Sequence, residues 1–233
     1  MNKRIFFCVL ALLILILGTK TAISGAREGI ELCLHTVIPS LFPFMVLTSI
    51  LTELRSFVSG PASYFLPGLL GGYPTGALAV AQGVKDEHIS RETGRRLLAF
   101  CSNAGPAFIF GMGANLFSKP WMCWAVWAIH ILSALLVSLV FPVKEAFSKA
   151  STPPEAVTLI QALSHSVRTM SLVCGWIILF RIMLTFLRLW FLWCLPQWLS
   201  CLICGILEIS NGCLNLVEIK NETLRFILFS LFL

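Results

Sequence analysis

Residues 97–118 read LLAFCSNAGPAFIFGMGANLFS, an apolar stretch without a charge, broken at its centre by Asn103-Ala104-Gly105-Pro106. Its length suits a crossing of about 20 residues. Its centre does not suit one continuous helix, because proline lacks an amide donor and clashes with the preceding turn, while glycine favours the unfolded backbone. Backbone groups released by such a break find no water in hydrocarbon. They are tolerated only where protein buries them or where they line a polar cavity. The stretch therefore predicts a discontinuous helix inside a helical membrane protein.

The neighbouring runs repeat the pattern. Residues 56–84 are uncharged over 29 positions and contain nine Gly or Pro, too many for one helix. Pro39 and Pro43 interrupt the run from Thr36 to Thr52, and Pro196 interrupts Leu189 to Leu207. Pro120 to Val143 is the cleanest span, with Trp121, Trp124 and Trp127 towards one end, as suits a membrane interface. Thr169 to Leu187 reads as one helix carrying Arg181, and Phe226 begins a last apolar segment. The fold class is all-α: a polytopic helical membrane protein with broken or re-entrant helices, five to seven passes and a two-half internal repeat.

Composition agrees. Of 233 residues, 58% are hydrophobic and 12% charged, with mean hydropathy +0.88. A soluble domain carries about 25% charged residues. The balance excludes an ordinary cytosolic enzyme, a disordered chain and a nucleic-acid module. The net charge of +6 fits basic loops on the cytoplasmic side, above all Lys85, Arg91, Arg95 and Arg96, with Lys3 and Arg4 leading the chain. Six of the nine cysteines, including the Cys201-x-x-Cys204 pair, lie in apolar runs and read as packing residues.

Four segments follow. Residues 1–25 form an N-terminal membrane helix. Ser24-Gly25-Ala26 resembles a small-x-small cleavage site, but an uncleaved signal-anchor is preferred, since the rest of the chain is membrane-embedded. Residues 26–141 form a first membrane half, 142–168 a polar connector and 169–233 a second half. The halves echo one another: Gly29–Leu51 matches Ala162–Leu184 in shape, and Gly76 of the Tyr73-Pro74-Thr75-Gly76 turn lies about 135 positions before Gly212 of Ser210-Asn211-Gly212. Asn103 follows Gly76 by 27 positions, which puts a second such break near position 239, past Leu233. The expectation is a missing C-terminal segment, or a homo-oligomer in which a second subunit completes the cavity.

No nucleotide-binding, metalloprotease or nucleophile-elbow motif occurs, and His35, His88, His130 and His165 lack metal-ligand spacing. The chain is expected not to be an enzyme, to need no metal or cofactor, and to bind no nucleic acid. His130 reads as a packing histidine. Polar residues at the breaks carry the expected site: Gly72, Tyr73, Pro74, Thr75 and Gly76; Ser102, Asn103, Gly105 and Pro106; Glu208, Asn211 and Gly212. Amides opening the helix at Pro106 carry positive partial charge suited to an anion, and Asn103 offers a donor and an acceptor. Arg181 and Glu208 are opposite charges in consecutive apolar runs, either a pair or, separately, a snorkelling arginine and a helix cap.

Pro39-Ser40-Leu41-Phe42-Pro43-Phe44, Gly71-Gly72-Tyr73-Pro74-Thr75-Gly76-Ala77, Ile89-Ser90 ahead of Arg96–Phe100, and Asn103-Ala104-Gly105-Pro106-Ala107-Phe108-Ile109 together resemble the YlbJ-type sporulation integral membrane proteins, which belong with the nucleoside-recognition Gate-domain membrane proteins. Glu208 to Gly212 is similar to that family's Leu-Glu-x-x-x-Gly segment, whereas Ser102 stands where the family usually has a first asparagine. The resemblance spans about residues 26–217. It implies a multi-pass protein of the bacterial inner membrane or outer forespore membrane that acts in sporulation. It further implies a transporter or permease component for a small anion, with dipicolinate the leading candidate. The alternatives are a nucleoside or nucleobase transporter, or an assembly protein that carries nothing. The expected partners are membrane lipid and a small anionic or nucleoside-like solute.

Overall fold

The computed structural model describes residues 3–50, 60–143 and 158–233, and these are helical throughout apart from turns. Helix α1 (Lys3–Leu17) is apolar on every side and buries no residue, as a lipid-facing helix should. It ends at Gly18. From there α2 (Thr19–Leu32) runs through a π-turn at Cys33–Val37 into α3 (Ile38–Ile50), one rod of 32 residues.

The predicted interruption at Pro39 and Pro43 does not occur, and for Pro39 the π-turn is the reason. Ile38 N–H reaches back to Cys33 O, so the ladder is already shifted where Pro39 would have clashed with the carbonyl of His35. Ser40 Oγ also donates to Thr36 O at 2.6 Å.

Four short helices follow. They are α4 (Ala62–Gly71), α5 (Thr75–Lys85), α6 (Arg91–Cys101) and α7 (Pro106–Gly113). Each is about half of what a crossing needs. Of the two glycines Gly111 and Gly113, which also were expected to break this stretch, α7 runs through the first and ends at the second, so residues 97–118 are interrupted at 102–105 and leave the helix again after Gly113. Helix α8 (Trp121–Val140) is the clean span expected, with Trp121 and Trp124 exposed.

Helix α9 (Leu159–Trp190) starts earlier than expected. A capping box at Thr158, closed by Gln161, makes residues 159–168 its first turns rather than connector. Residues 144–157 of the proposed connector lie outside the described residues. A 3₁₀ turn (Leu192–Cys194) leads to α10 (Gln197–Leu207), α11 (Ile209–Leu216) and α12 (Glu222–Phe232). Among the described residues three helices, Thr19–Ile50, Trp121–Val140 and Leu159–Trp190, are long and apolar enough to cross a membrane. In the other uncharged runs Gly and Pro leave half-length helices among the described residues.

The two 32-residue rods pack antiparallel. Gly18 sits under the Phe186 ring, Gly25 against Ile182 and Thr185, and Gly29 against Ile178 and Arg181. Cys33 Sγ lies 3.9 Å from Cys174 O. A Cβ on Gly25 would meet Thr185 Oγ1 at 2.7 Å, and one on Gly29 would meet the Ile178 Cα at 2.9 Å. Gly25-x-x-x-Gly29 is thus a small-residue seam that lets two backbones approach closely. The Ser24-Gly25-Ala26 triplet lies within α2, in this seam.

Behind each rod stands the same arrangement. Helices α4 and α5 touch at Gly68 and Gly76, and the Cys101 carbonyl that ends α6 rests on both glycines. Helices α10 and α11 touch at Gly205 and Gly212, and the Phe232 ring at the end of α12 covers both. Helices α6 and α12 have 11 residues each, capped by Ser90 and Asn221 side chains. Rod, crossed half-helices and 11-residue helix recur in that order, with the rods inverted relative to one another. The main core joins the halves: Val37, Ala104, Ile109, Val126, Ile177, Cys213, Leu216 and Phe229 belong to one buried cluster.

Candidate functional site

Two of the three predicted loops touch. Gly72 closes the turn between α4 and α5 with φ +70 and ψ −162, a conformation open almost only to glycine. Its Cα lies so near Gly105 that a Cβ on Gly72 would stand 2.6 Å from Gly105 N. Gly105 precedes Pro106 at the start of α7, so the turn covers the helix N-terminus proposed for an anion. Tyr73 beside it stays exposed, Pro74 and Thr75 are half-buried, and the Tyr73–Pro74 peptide is cis.

Asn103 is buried, and its Nδ2 donates to Phe100 O at 2.9 Å. It therefore satisfies an end carbonyl of α6. Ser102, the C-cap of α6, is half-buried. Ala104 N–H donates to His130 Nε2 at 3.0 Å, which makes His130 the partner of a backbone amide freed by the break.

The third loop is built differently. Glu208 N-caps α11: Oε1 accepts from Ser210 N at 3.0 Å, and Oε2 from Asn211 N and Nδ2, each at 2.7 Å. Both oxygens are occupied by the helix they open. Gly212 is spent on the contact with Gly205. Asn211 turns towards α9, where its Nδ2 also reaches Ile177 O at 3.3 Å.

The proposed Arg181–Glu208 pair is not formed. Arg181 Nε donates to Glu28 Oε2 at 2.9 Å, and its Nη2 bonds the same oxygen. Glu208 is committed to capping, and the Gly25/Gly29 seam brings α2, with Glu28, against α9 instead. The Arg181 side chain is only 7% exposed while that of Glu28 is 41% exposed. Nη1 faces Asn215 Oδ1 at 3.5 Å.

Helix α11 thus presents Asn211 and Asn215, one turn apart, to α9. Both are almost wholly buried, yet Asn211 Oδ1 and Asn215 Nδ2 have no hydrogen-bond partner among the described residues. Unpartnered buried polar atoms are rare and call for a cause. Sequence reading singled out Asn211 but missed Glu28 and Asn215. Glu28 stands among Lys20, Arg27 and Glu31 and looked like interfacial charge. Its one sequence signal was the Gly25-x-x-x-Gly29 spacing around it. Among the described residues, no cluster of three His, Cys, Asp or Glu could hold a metal.

No family model matches the chain, and no solved structure does. It is similar to the sporulation integral membrane protein YlbJ of Bacillus subtilis (strain 168), at 27% identity, over 70% of this chain and 51% of that protein. The chain spans about half the length of this curated relative. Its three membrane-length helices, together with this similarity to a sporulation integral membrane protein, make the chain a multi-pass protein of the membrane.

Proposed function

We propose that the chain is the membrane-embedded part of a transporter that moves a small anion during sporulation, with dipicolinate as the solute, and that it performs no covalent chemistry. One observation carries this reading. Two inverted sets of half-helices meet a rod pair whose interior holds a buried arginine and two asparagines with unpartnered polar atoms. Broken helices with polar groups inside are how transporters build solute sites, and a buried arginine favours an anion over a neutral solute.

The test has two arms. A deletion strain should form spores depleted of dipicolinate, and the chain in proteoliposomes should take up dipicolinate with no competition from nucleosides. Competition by nucleosides would favour nucleoside transport on the same scaffold. Normal dipicolinate content together with failed spore assembly would favour a structural role.

A further inference from the structure

The Arg181–Glu28 contact is unusual as a structural ion pair. An arginine facing a carboxylate commonly makes two parallel bonds, one to each oxygen. Here both N–H groups from Arg181 converge on Oε2, while Oε1 accepts from Ser24 Oγ at 3.3 Å on its own helix. Of the five N–H groups of the guanidinium, three are engaged among the described residues, counting the long contact to Asn215. Glu28 lies on the open side of the pair and Arg181 on the closed side. Next to them, Asn215 Nδ2 is a buried donor without an acceptor, and Asn211 Oδ1 a buried acceptor without a donor.

We infer that Arg181 is the residue that reads a carboxylate on the transported solute, and that Glu28 is a tethered stand-in which the solute's carboxylate displaces. The inference rests on the anion-transport reading and assigns its site. An incoming carboxylate takes both oxygens to guanidinium N–H groups and to Asn215 Nδ2. Glu28, already bonded to Ser24 and half-exposed, swings away at little cost. When the solute leaves, Glu28 returns, so the buried cation is never left alone, a state that would be costly.

The test is equilibrium binding of radiolabelled dipicolinate to the purified full chain in nanodiscs, with glutarate and uncharged dipicolinamide as competitors. Glu28→Gln removes the stand-in and should bind dipicolinate about fivefold tighter, because a larger fraction of the protein is competent. Arg181→Gln should lose at least about tenfold in affinity, and Arg181→Lys should recover only part of it. The exchanged pair Glu28→Arg with Arg181→Glu keeps a salt bridge. It should unfold at close to the wild-type temperature yet bind no carboxylate.

Wild-type affinity in the exchanged pair, or weaker binding in Glu28→Gln, would overturn the inference and leave a purely structural ion pair. Wild type that binds glutarate but not dipicolinate, with the same order among the variants, would retire dipicolinate and uphold Arg181. Wild type that binds no carboxylate overturns the inference, and the transport reading is then judged separately by spore dipicolinate content.

Discussion

Replacing Gly72 with alanine tests the junction between the first two loops. Two costs add. The backbone at φ +70 and ψ −162 lies in a region that non-glycine residues enter at about 1–3 kcal/mol. The new Cβ would also stand 2.6 Å from Gly105 N and 2.9 Å from Gly105 Cα. Both are backbone atoms that no rotamer change can move, and such overpacking costs about 1–3 kcal/mol. The total is about 4 kcal/mol. At about 1.4 kcal/mol per tenfold, that is on the order of a thousandfold in the folded-to-unfolded ratio, for a fold whose whole margin is about 5–15 kcal/mol.

Gly105→Ala carries only the steric half, since its φ is −73, and should lose about 1–3 kcal/mol. A Cβ on Gly175 would meet nothing within 4 Å, so Gly175→Ala in α9 should be neutral or gain about 0.5–1 kcal/mol of helix stability. The assay is thermal unfolding in detergent, followed by reaction of a thiol dye with buried Cys101 and Cys213. The order of destabilisation should be Gly72→Ala, then Gly105→Ala, then Gly175→Ala. A Gly72→Ala protein that melts with wild type would refute the junction.

Other substitutions probe the polar contacts. Glu208→Gln should destabilise α11 by about 1–2 kcal/mol through the lost cap. Because Glu208 does not pair with Arg181, its effect should add to that of Arg181→Gln, and a double mutant milder than the sum would restore the discarded pair. His130→Leu leaves Ala104 N–H unpaired and should cost about 1–3 kcal/mol, read in the same melt. Ser118 N–H and Oγ both donate to Glu222 Oε1 at 2.7 Å and hold its carboxyl below the ordinary carboxylate range. This contact contributes above the unfolded carboxyl pKa and disappears as pH falls through the lower folded one. A fall in the protection of the Ser118 amide relative to its intrinsic exchange rate as pH drops, absent in Glu222→Gln, checks it. By the positive-inside rule, a cysteine placed at Arg91 should resist an impermeant thiol reagent applied outside intact cells, and ready labelling would reverse the topology.

Much of the architecture was legible in residue order. Uncharged runs marked the membrane, and Asn103-Ala104-Gly105-Pro106 marked a broken helix, because a missing donor and a freed backbone are local facts. The Gly76 and Gly212 correspondence was visible as a spacing, but what the two glycines share is tertiary: each opens a half-helix that another backbone approaches too closely for a side chain. Pro39 misled, because whether a proline breaks a helix depends on the ladder four residues earlier, and a π-turn at Cys33–Val37 had already shifted it; Pro43 is carried inside the same helix.

The charges were the least legible. Arg181 and Glu208 stood out as isolated ions in apolar sequence, and nothing local could say that Glu208 spends both oxygens on its own helix. The true partner, Glu28, is 153 positions from Arg181 and sits among charges that look like solvent-facing ones. Sequence by itself determined which segments had to avoid water and, at Asn103–Pro106, where a helix must break. The antiparallel docking of α2 on α9 alone decided which charges meet, because ion pairing depends on distance across an interface and a chain's order carries no distance between segments that far apart.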